Sequence, residues 1–277
     1  MAITISNVSS AATTSSTTSP TYRSTLDFTS LDPAEISLLG KSSIAQLTSA
    51  TITGIATDAI PGLTTSQISS IPTSGIAALT TTQLSALTTA QLPSFSAKQI
   101  AALTTNQIKY LDSAQMNSLK SPQIRALTTS QIAVIPTAVL PRLTTTFISL
   151  LTTAQLPSLT TTQTNLLSTA QVRSLSQLQL SAMETTDLIA MSTAQVGTLT
   201  TLQIGGLTTT QVSALYLNSR PMTSAQIAGL STAAIAALTT AQLTTGDTTV
   251  FTTAHMQALT SAQVKALTSA QLNALYE

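Results

Sequence analysis

The chain has 277 residues, of which only 7% are charged, and its formal net charge is +1. A chain with so few charges has no basic surface that would bind a polynucleotide or an anionic membrane. We therefore expect no nucleic-acid partner. With no Cys, no Trp and a single His, the chain lacks disulfide frameworks and has few side chains suited to a metal site or an aromatic pocket.

Residues 1–30 are predicted to form a flexible arm. They are rich in Ser and Thr, and such a composition buries too little apolar surface to offset the entropy lost on ordering. No basic residue precedes Arg23 and no compact apolar core follows Met1, so we see no N-terminal secretory signal. A Ser or Thr pair interrupts each apolar stretch along the chain, and we therefore expect no transmembrane segment.

Residues 31–277 are predicted to form a solenoid of eight-residue units. Leu87–Leu92 reads Leu-Thr-Thr-Ala-Gln-Leu and Leu103–Ile108 reads Leu-Thr-Thr-Asn-Gln-Ile. We label the positions a to h, with Leu at a, Thr at b and c, Gln at e, and Ile, Leu or Val at f. Position e recurs every eighth residue from Thr51 to Gln211, which makes 21 octads without an insertion. Uniform length predicts that every unit repeats one geometry.

The first unit is predicted to begin at Asp32, with Pro33 at the first helical position and Glu35 three residues after the cap. The next segment carries its Gln at position 46, five residues before Thr51. We therefore expect the segment around Gln46 to lie out of register with the octads that follow.

Two breaks interrupt the octads late in the chain. Gln226 follows Gln211 by 15 residues, and His255 follows Gln242 by 13, instead of the 16 that two octads require. We expect irregular loops at residues 216–221 and 244–249.

Each octad is predicted to form a very short capped helix. Thr at b and Gln at e give a capping box, and the apolar residues at a and f give the hydrophobic staple that accompanies it. Charged residues such as Lys109 and Arg125 at g predict that g faces solvent, whereas a, f and usually the Ala at h face inward.

One continuous helix is excluded, because eight residues advance the helical phase by about 80° beyond two turns and no single face would stay apolar. Proline at g also limits some helices to about one turn, namely at Pro61, Pro93, Pro141 and Pro157. The fold class expected is an all-α solenoid or superhelix, with one helix per octad stacked on neighbouring coils.

The alternative is a β-solenoid, which the many Thr residues and the prolines at corners favour. Only 9 Gly, abundant Ala, Gln and Leu, and the spacing of five between a and f oppose it, since that spacing would place a and f on opposite faces of a strand. Neither the α-solenoid nor the β-solenoid prediction gives the number of octads per superhelical turn.

Few side chains suggest chemistry. His255 occupies position e, where it is expected to replace Gln near a helix start; the alternative is a general base, with Asp247 as a neighbour. Asp32, Glu35, Asp112 and Glu184 occupy cap or N3 positions, which explains them structurally. Glu184 and Asp187 are three residues apart, and catalysis or calcium binding is the alternative for this pair. No nucleotide-binding or Cys-x-x-Cys motif is present, so we predict no enzymatic activity, no catalytic or metal-binding residues and no cofactor.

The Leu-Thr-Thr-x-Gln-Ile/Leu/Val unit, as in residues 79–108, 151–155 and 257–275, resembles the tandem Ala-Leu-Thr-x-x-Gln repeats of large, poorly characterised bacterial proteins that are secreted or lie at the cell surface. The resemblance covers about residues 43–277. It implies a bacterial origin and a structural role, and it brings no catalytic motif.

The leading expectation for function is a self-assembling structural protein, a subunit of a bacterial fibre, sheath or surface layer, in which the main partner is a second copy of the chain. Few charges and a solenoid with uncapped, apolar ends favour end-to-end assembly. One alternative is a scaffold that binds a protein partner; another is an ice-binding Thr array. An extracellular or cell-surface location is expected, with a cytoplasmic one as the alternative.

Overall fold

A computed structural model of the protein describes residue 28 and residues 30–217, 222–245 and 251–273. Every regular element within these ranges is a helix, and each octad contributes one short helix. The prediction of an all-α solenoid is therefore confirmed, and the β-solenoid alternative is wrong. Most of the predicted arm at 1–30, and the centres of the two predicted loops at residues 218–221 and 246–249, lie outside the described residues.

The chain divides into two compact units, Met1–Leu127 and Thr128–Glu277. In the first unit, the α-helices α1 to α10 are Pro33–Ser37, Lys41–Ala45, Ser49–Thr53, Thr65–Ile68, Thr73–Ala78, Thr81–Ala86, Ala97–Ala102, Thr105–Ile108, Ser113–Asn117 and Ser121–Ala126. Two 3-10 helices, Thr57–Gly62 and Leu92–Ser94, complete it.

The second unit contains the α-helices α11 to α25, which are Thr129–Ala133, Thr145–Leu150, Thr161–Leu166, Thr169–Arg173, Gln177–Ser181, Thr185–Ala190, Thr193–Gly197, Thr201–Gly205, Thr209–Leu217, Ser224–Ala228, Thr232–Ala237, Thr240–Thr245, Thr253–Ala258, Ser261–Ala266 and Ser269–Asn273. Its 3-10 helices are Leu140–Arg142 and Leu156–Ser158.

The octad register begins at Glu35, two octads earlier than predicted. Ile44 in α2 is fully buried, as position f requires, and Gln46 is exposed. Ser43 therefore occupies position e, eight residues after Glu35 and eight before Thr51. The prediction that this segment lies out of register is wrong, because Gln46 is not an e residue.

The predicted capping boxes are confirmed. Thr80 Oγ1 accepts a hydrogen bond from the main-chain N–H of Gln83 at 3.1 Å, and Gln83 Oε1 accepts one from the N–H of Thr80 at 2.9 Å. Asp32 and Asp112 cap α1 and α9 through boxes of the same kind. Each box satisfies two helix-terminal donors within its own octad, so the start of each helix is fixed locally.

Proline sets the type of helix, as predicted. Pro61, Pro93, Pro141 and Pro157 each lie in one of the four 3-10 helices of the described residues. Because proline lacks the N–H that an α-helix needs at position g, the chain turns early and forms a single tighter turn.

The core is built from positions a and f. The f residues Ile68, Ile100 and Ile132 are fully buried, and the a residues Leu63 and Leu103 are almost so. The charged g residues are exposed, as predicted; they are Lys109, Arg125, Arg173 and Lys265. Alanines at h, such as Ala86 and Ala102, are only half-buried, so the expectation that they face the core is correct only in part.

The structure gives the size of a superhelical turn. Within the first unit, α7 packs against α10, and within the second, α13 packs against α16; each pair is three octads apart. The glutamine side chains at e reach the octad four units earlier, 28 to 31 residues back in the sequence. One turn in each unit therefore takes between three and four octads.

The coils approach most closely at position h. A Cβ added to Gly62 would lie 2.2 Å from the main-chain oxygen of Pro33, and one added to Gly229 would lie 2.9 Å from that of Thr201. In both cases an h residue faces the c residue three octads earlier. This contact explains why small residues prevail at h, since a larger side chain would push the coils apart.

Candidate functional site

Most buried polar side chains of the described residues repeat one hydrogen-bond pattern within each unit, which we call the glutamine ladder. In it, Nε2 of the Gln at e donates to the main-chain oxygen of the f residue four octads earlier and to that of the a residue that follows it, which begins the next octad. Gln83 donates to Ile52 at 2.8 Å and to Ile55 at 2.7 Å. The same pair of bonds is made by Gln67, Gln91, Gln99, Gln107, Gln115 and Gln123 in the first unit, and by Gln163, Gln171, Gln179, Gln195, Gln203, Gln211, Gln226 and Gln263 in the second.

The ladder uses both the oxygen and the nitrogen of each side-chain amide that takes part in it. Oε1 accepts from the cap residue, and Nε2 gives its hydrogens to carbonyl oxygens that the core has shielded from water. Sequence reasoning assigned these side chains only to their own caps. A signal was available, because Glu completes a capping box as well as Gln does but cannot donate, and Gln is used at almost every octad.

The two sequence breaks leave the ladder intact. Gln226 donates to Val196 and Leu199, which lie 30 and 27 residues earlier, and Gln263 donates to Ile235 and Leu238, which lie 28 and 25 residues earlier. These separations are shorter than the usual 31 and 28 by the residues missing at each break. Each Gln still bonds to the octad four units before it.

His255 takes the place of Gln in the ladder. Its Nδ1 accepts from the main-chain N–H of Thr252 at 3.4 Å, and its Nε2 lies 2.7 Å from the main-chain oxygen of Leu230. A carbonyl oxygen only accepts, so Nε2 carries the hydrogen and both ring nitrogens are engaged. The prediction that His255 replaces Gln is confirmed, and no ring nitrogen is left to act as a base. Asp247, the neighbour considered for it, lies outside the described residues.

Among the titratable groups in the described part of the chain, Asp187 has the most strongly shifted pKa. Burial raises the pKa of its carboxyl to about 6, and the negative charge of Glu184 adds to the effect. Glu184 is the N-cap residue of α16 but makes no side-chain cap bond; its carboxylate accepts from the Thr186 hydroxyl at 3.4 Å. Within the described ranges, no three His, Cys, Asp or Glu side chains group as metal ligands would. We therefore assign this pair no ligand.

An exposed apolar row runs across three packed helices of the second unit. Leu178 in α15 and Leu202 in α18 are 72% and 69% exposed, and both occupy position d, three octads apart. α15 packs against α18, and α18 packs against α20, which carries the exposed Ala225 at position d. We call Leu178, Leu202 and Ala225 the apolar d row. Sequence reasoning missed it, although Leu at d stands out where most octads carry Ala, Ser or Thr.

A notch lies between α14 and α17 in the same unit. It has a volume of about 450 Å³, and its lining comprises Thr169, Arg173, Ala194, Gly197, Thr198, Leu199 and Thr200. Gly197 opens it, because a Cβ added there would meet nothing within 4 Å. The notch joins one cationic side chain to several hydroxyl groups, which suits an anionic ligand group better than an apolar one.

The two Thr rows have different roles. Hydroxyls at b, such as those of Thr104 and Thr128, accept from the main-chain N–H of the Gln at e. The c residues Thr105 and Thr129 are exposed. Only the c row is therefore free to serve the ice-binding alternative, which stays a prediction that faceted ice crystals would test.

No described helix is long and apolar enough to cross a membrane. No curated protein matches the chain. The ALTTAQ repeat family model matches residues 89–121 and 180–216, one segment in each unit. The chain is thus a tandem repeat protein, and in these two segments its octads are similar to the ALTTAQ repeat.

Proposed function

We propose that the protein is a structural solenoid that associates side by side with further copies of itself, as a subunit of a bacterial fibre, sheath or surface layer. The observation that carries the proposal is the apolar d row. Two large leucines are mostly exposed on neighbouring coils, and burying each one against a second copy contributes about 2 kcal/mol.

The charge of the chain supports a second copy as the partner. With 7% charged residues and a net charge of +1, two copies repel each other little at short distance. The apolar d row contains no charged side chain, so contact between two copies of this row desolvates no charge.

The use of the polar groups also favours a structural role. The buried Gln side chains bond to the coil that precedes them, and His255 does the same. The prediction that the chain is not an enzyme and holds no cofactor stays a prediction. Its bacterial origin and extracellular location are supported by the resemblance to bacterial surface and secreted repeats, and they belong to this proposal.

The test is sedimentation velocity over a concentration series, with electron microscopy of the same samples. We expect the wild-type chain to form larger species as concentration rises, and the double variant Leu178→Thr/Leu202→Thr to require at least about tenfold more protein, since each lost contact exceeds about 1.4 kcal/mol. Tyr110→Thr is the matched control, because Tyr110 is a single apolar side chain, 54% exposed, in the first unit. A wild-type chain that stays monomeric at every salt and protein concentration would refute the proposal.

The notch at Arg173 favours a second candidate function, a scaffold that binds an acidic segment of a partner protein. The guanidinium offers paired donors to a carboxylate, and the polar residues Thr169 and Thr198 line the same notch. A labelled poly-glutamate peptide, titrated by fluorescence anisotropy, tests it. We expect Arg173→Gln to weaken binding and Arg125→Gln, an exposed g residue in the first unit, to leave it unchanged. Equal losses in both variants would indicate binding by general charge alone.

A further inference from the structure

The first four octads differ from the others at position e. Their e residues are Glu35, Ser43, Thr51 and Ala59, none of which has a side-chain amide. Gln67 begins the ladder in the fifth octad, where it donates to Ile36 of the first octad and to Leu39, which begins the second. Elsewhere in the uninterrupted run up to Gln211, at most two successive octads lack Gln, as at Val139 and Phe147.

This pattern follows from the geometry of the ladder. Each Gln bonds to the octad four units earlier, so the first four octads are the ones that have no complete octad to bond to. Residues 1–30 contain no Gln and no Leu-Thr-Thr unit. We call residues 31–62 the first coil. Its carbonyl groups accept from the second coil, while its own e residues donate to no preceding coil within the described residues.

Two of the four e residues of the first coil keep the part of the Gln role that concerns their own helix. Thr51 Oγ1 accepts from the main-chain N–H of Thr48 at 2.8 Å, and Glu35 Oε2 accepts from that of Asp32 at 3.1 Å. The helices that carry Ser43 and Ala59 make no side-chain cap bond. What all four octads lack is the side-chain N–H₂ group. Stability of the single helix does not explain the change, because Gln would cap at least as well.

An uncovered row of Gln donors at position e would favour binding of another coil. It would present N–H groups at the spacing of the carbonyl groups on another coil, in the way that an open sheet edge presents unpaired donors and acceptors to another chain. Terminal units of repeat proteins avoid this with an atypical outer face.

We propose that the first coil is a terminal cap, which prevents a second copy of the chain from stacking onto this end through the glutamine ladder. Assembly then proceeds through other surfaces, and the expectation of end-to-end growth does not hold at this end. The inference does not depend on the apolar d row. The first coil belongs to the first unit, and the contact concerned is made by hydrogen bonds and not by apolar side chains.

The test restores the missing donors in the full chain, as Glu35→Gln/Ser43→Gln/Thr51→Gln. The matched control is Ala34→Gln/Ser42→Gln/Ala50→Gln, which adds the same three side chains to the same helices at the exposed d positions. Both variants also carry Leu178→Thr/Leu202→Thr, so that side-by-side association is suppressed. Sedimentation velocity over a concentration series gives the association constant, and far-UV circular dichroism verifies the helical content.

We expect the e variant to associate end to end at concentrations at least about tenfold lower than the d control, because each new Gln adds a side-chain donor that can bond across the contact. Equal association of the two variants would overturn the proposal.

Discussion

The side-chain nitrogen of Gln107 lies 2.8 Å from the main-chain oxygen of Ile76, 31 residues earlier in the chain. The same nitrogen lies 2.8 Å from the oxygen of Leu79, while Oε1 accepts from the N–H of Thr104 at 2.7 Å. One side chain thus fixes the start of its own helix and ties that helix to the previous coil.

Replacing Gln107 with Leu tests the strength of this link. The substitution roughly keeps the volume but removes the side-chain donor of two buried carbonyl groups. Because Ile76 still accepts from the main-chain N–H of Leu79 at 3.3 Å, we expect a cost of about 1 to 3 kcal/mol. We expect a lower midpoint of urea unfolding and faster amide exchange around Ile76. Gln46→Leu is the control, since Gln46 is exposed at position h and its replacement changes stability by about 0.5 kcal/mol or less. Equal effects of the two substitutions would show that the ladder contributes little.

Substitution of Thr164 is expected to raise the stability of the protein. It occupies an f position, is fully buried, and its hydroxyl has no hydrogen-bond partner within the described residues. Thr164→Val removes the unsatisfied hydroxyl and restores the apolar residue that other octads carry, so we expect a gain of about 1 kcal/mol. Thr162→Val in the same helix is exposed and should change stability little. A loss of stability in Thr164→Val would mean that the hydroxyl is satisfied by water.

The local part of the fold was predictable from sequence, because the interactions that determine it span four or five residues. The Thr at b, the Gln at e and the apolar residues at a and f act within one octad, so the caps, the short helices and their inward faces follow from the pattern. The prolines at g likewise specify the 3-10 turns without reference to any other coil.

The partner of each Gln was not predictable in this way. It depends on the superhelical turn, which results from packing between coils and not from the sequence of one octad. The same limit explains the wrong register at Gln46. Gln occupies position e in most octads, but within the described residues no coil precedes the first coil to receive an amide, and Ser43 and Thr51 stand there without one. Leu178 and Leu202 differ in sequence from most d residues, but their proximity depends on the packing of α15 against α18.

Two glycines test the close approach of the coils. Gly62→Ala places a Cβ 2.2 Å from the main-chain oxygen of Pro33, and because backbone must move to relieve the overlap, we expect a loss of about 1 to 3 kcal/mol. Gly197→Ala meets nothing within 4 Å and improves helix propensity in α17, so we expect a gain of up to about 1 kcal/mol. Thermal unfolding of both variants provides the comparison. A Gly62→Ala variant as stable as Gly197→Ala would show that the coils separate easily at this point.

Asp187 should make stability depend on pH in a direction opposite to that of ordinary acid unfolding. Burial raises its pKa to about 6 from 3.8, so the folded chain holds the proton more tightly than the unfolded chain does. The stabilising effect is therefore complete below pH 4, decreases as pH rises toward 6, and stays constant above it; its full size is at most about 3 kcal/mol. We expect Asp187→Gln, which restores the octad consensus, to stabilise the protein more at pH 7.5 than at pH 4.5.

The difference between wild type and variant is the quantity to measure, by urea unfolding at several pH values, because the other carboxylates then cancel. Glu184→Gln is the control: burial is the larger cause of the shift, so most of the pH dependence should remain when the charge of Glu184 is removed. A stability difference between wild type and Asp187→Gln that is the same at pH 4.5 and 7.5 would contradict the raised pKa. If Glu184→Gln abolished the pH dependence, the charge of Glu184, and not burial, would be its main cause.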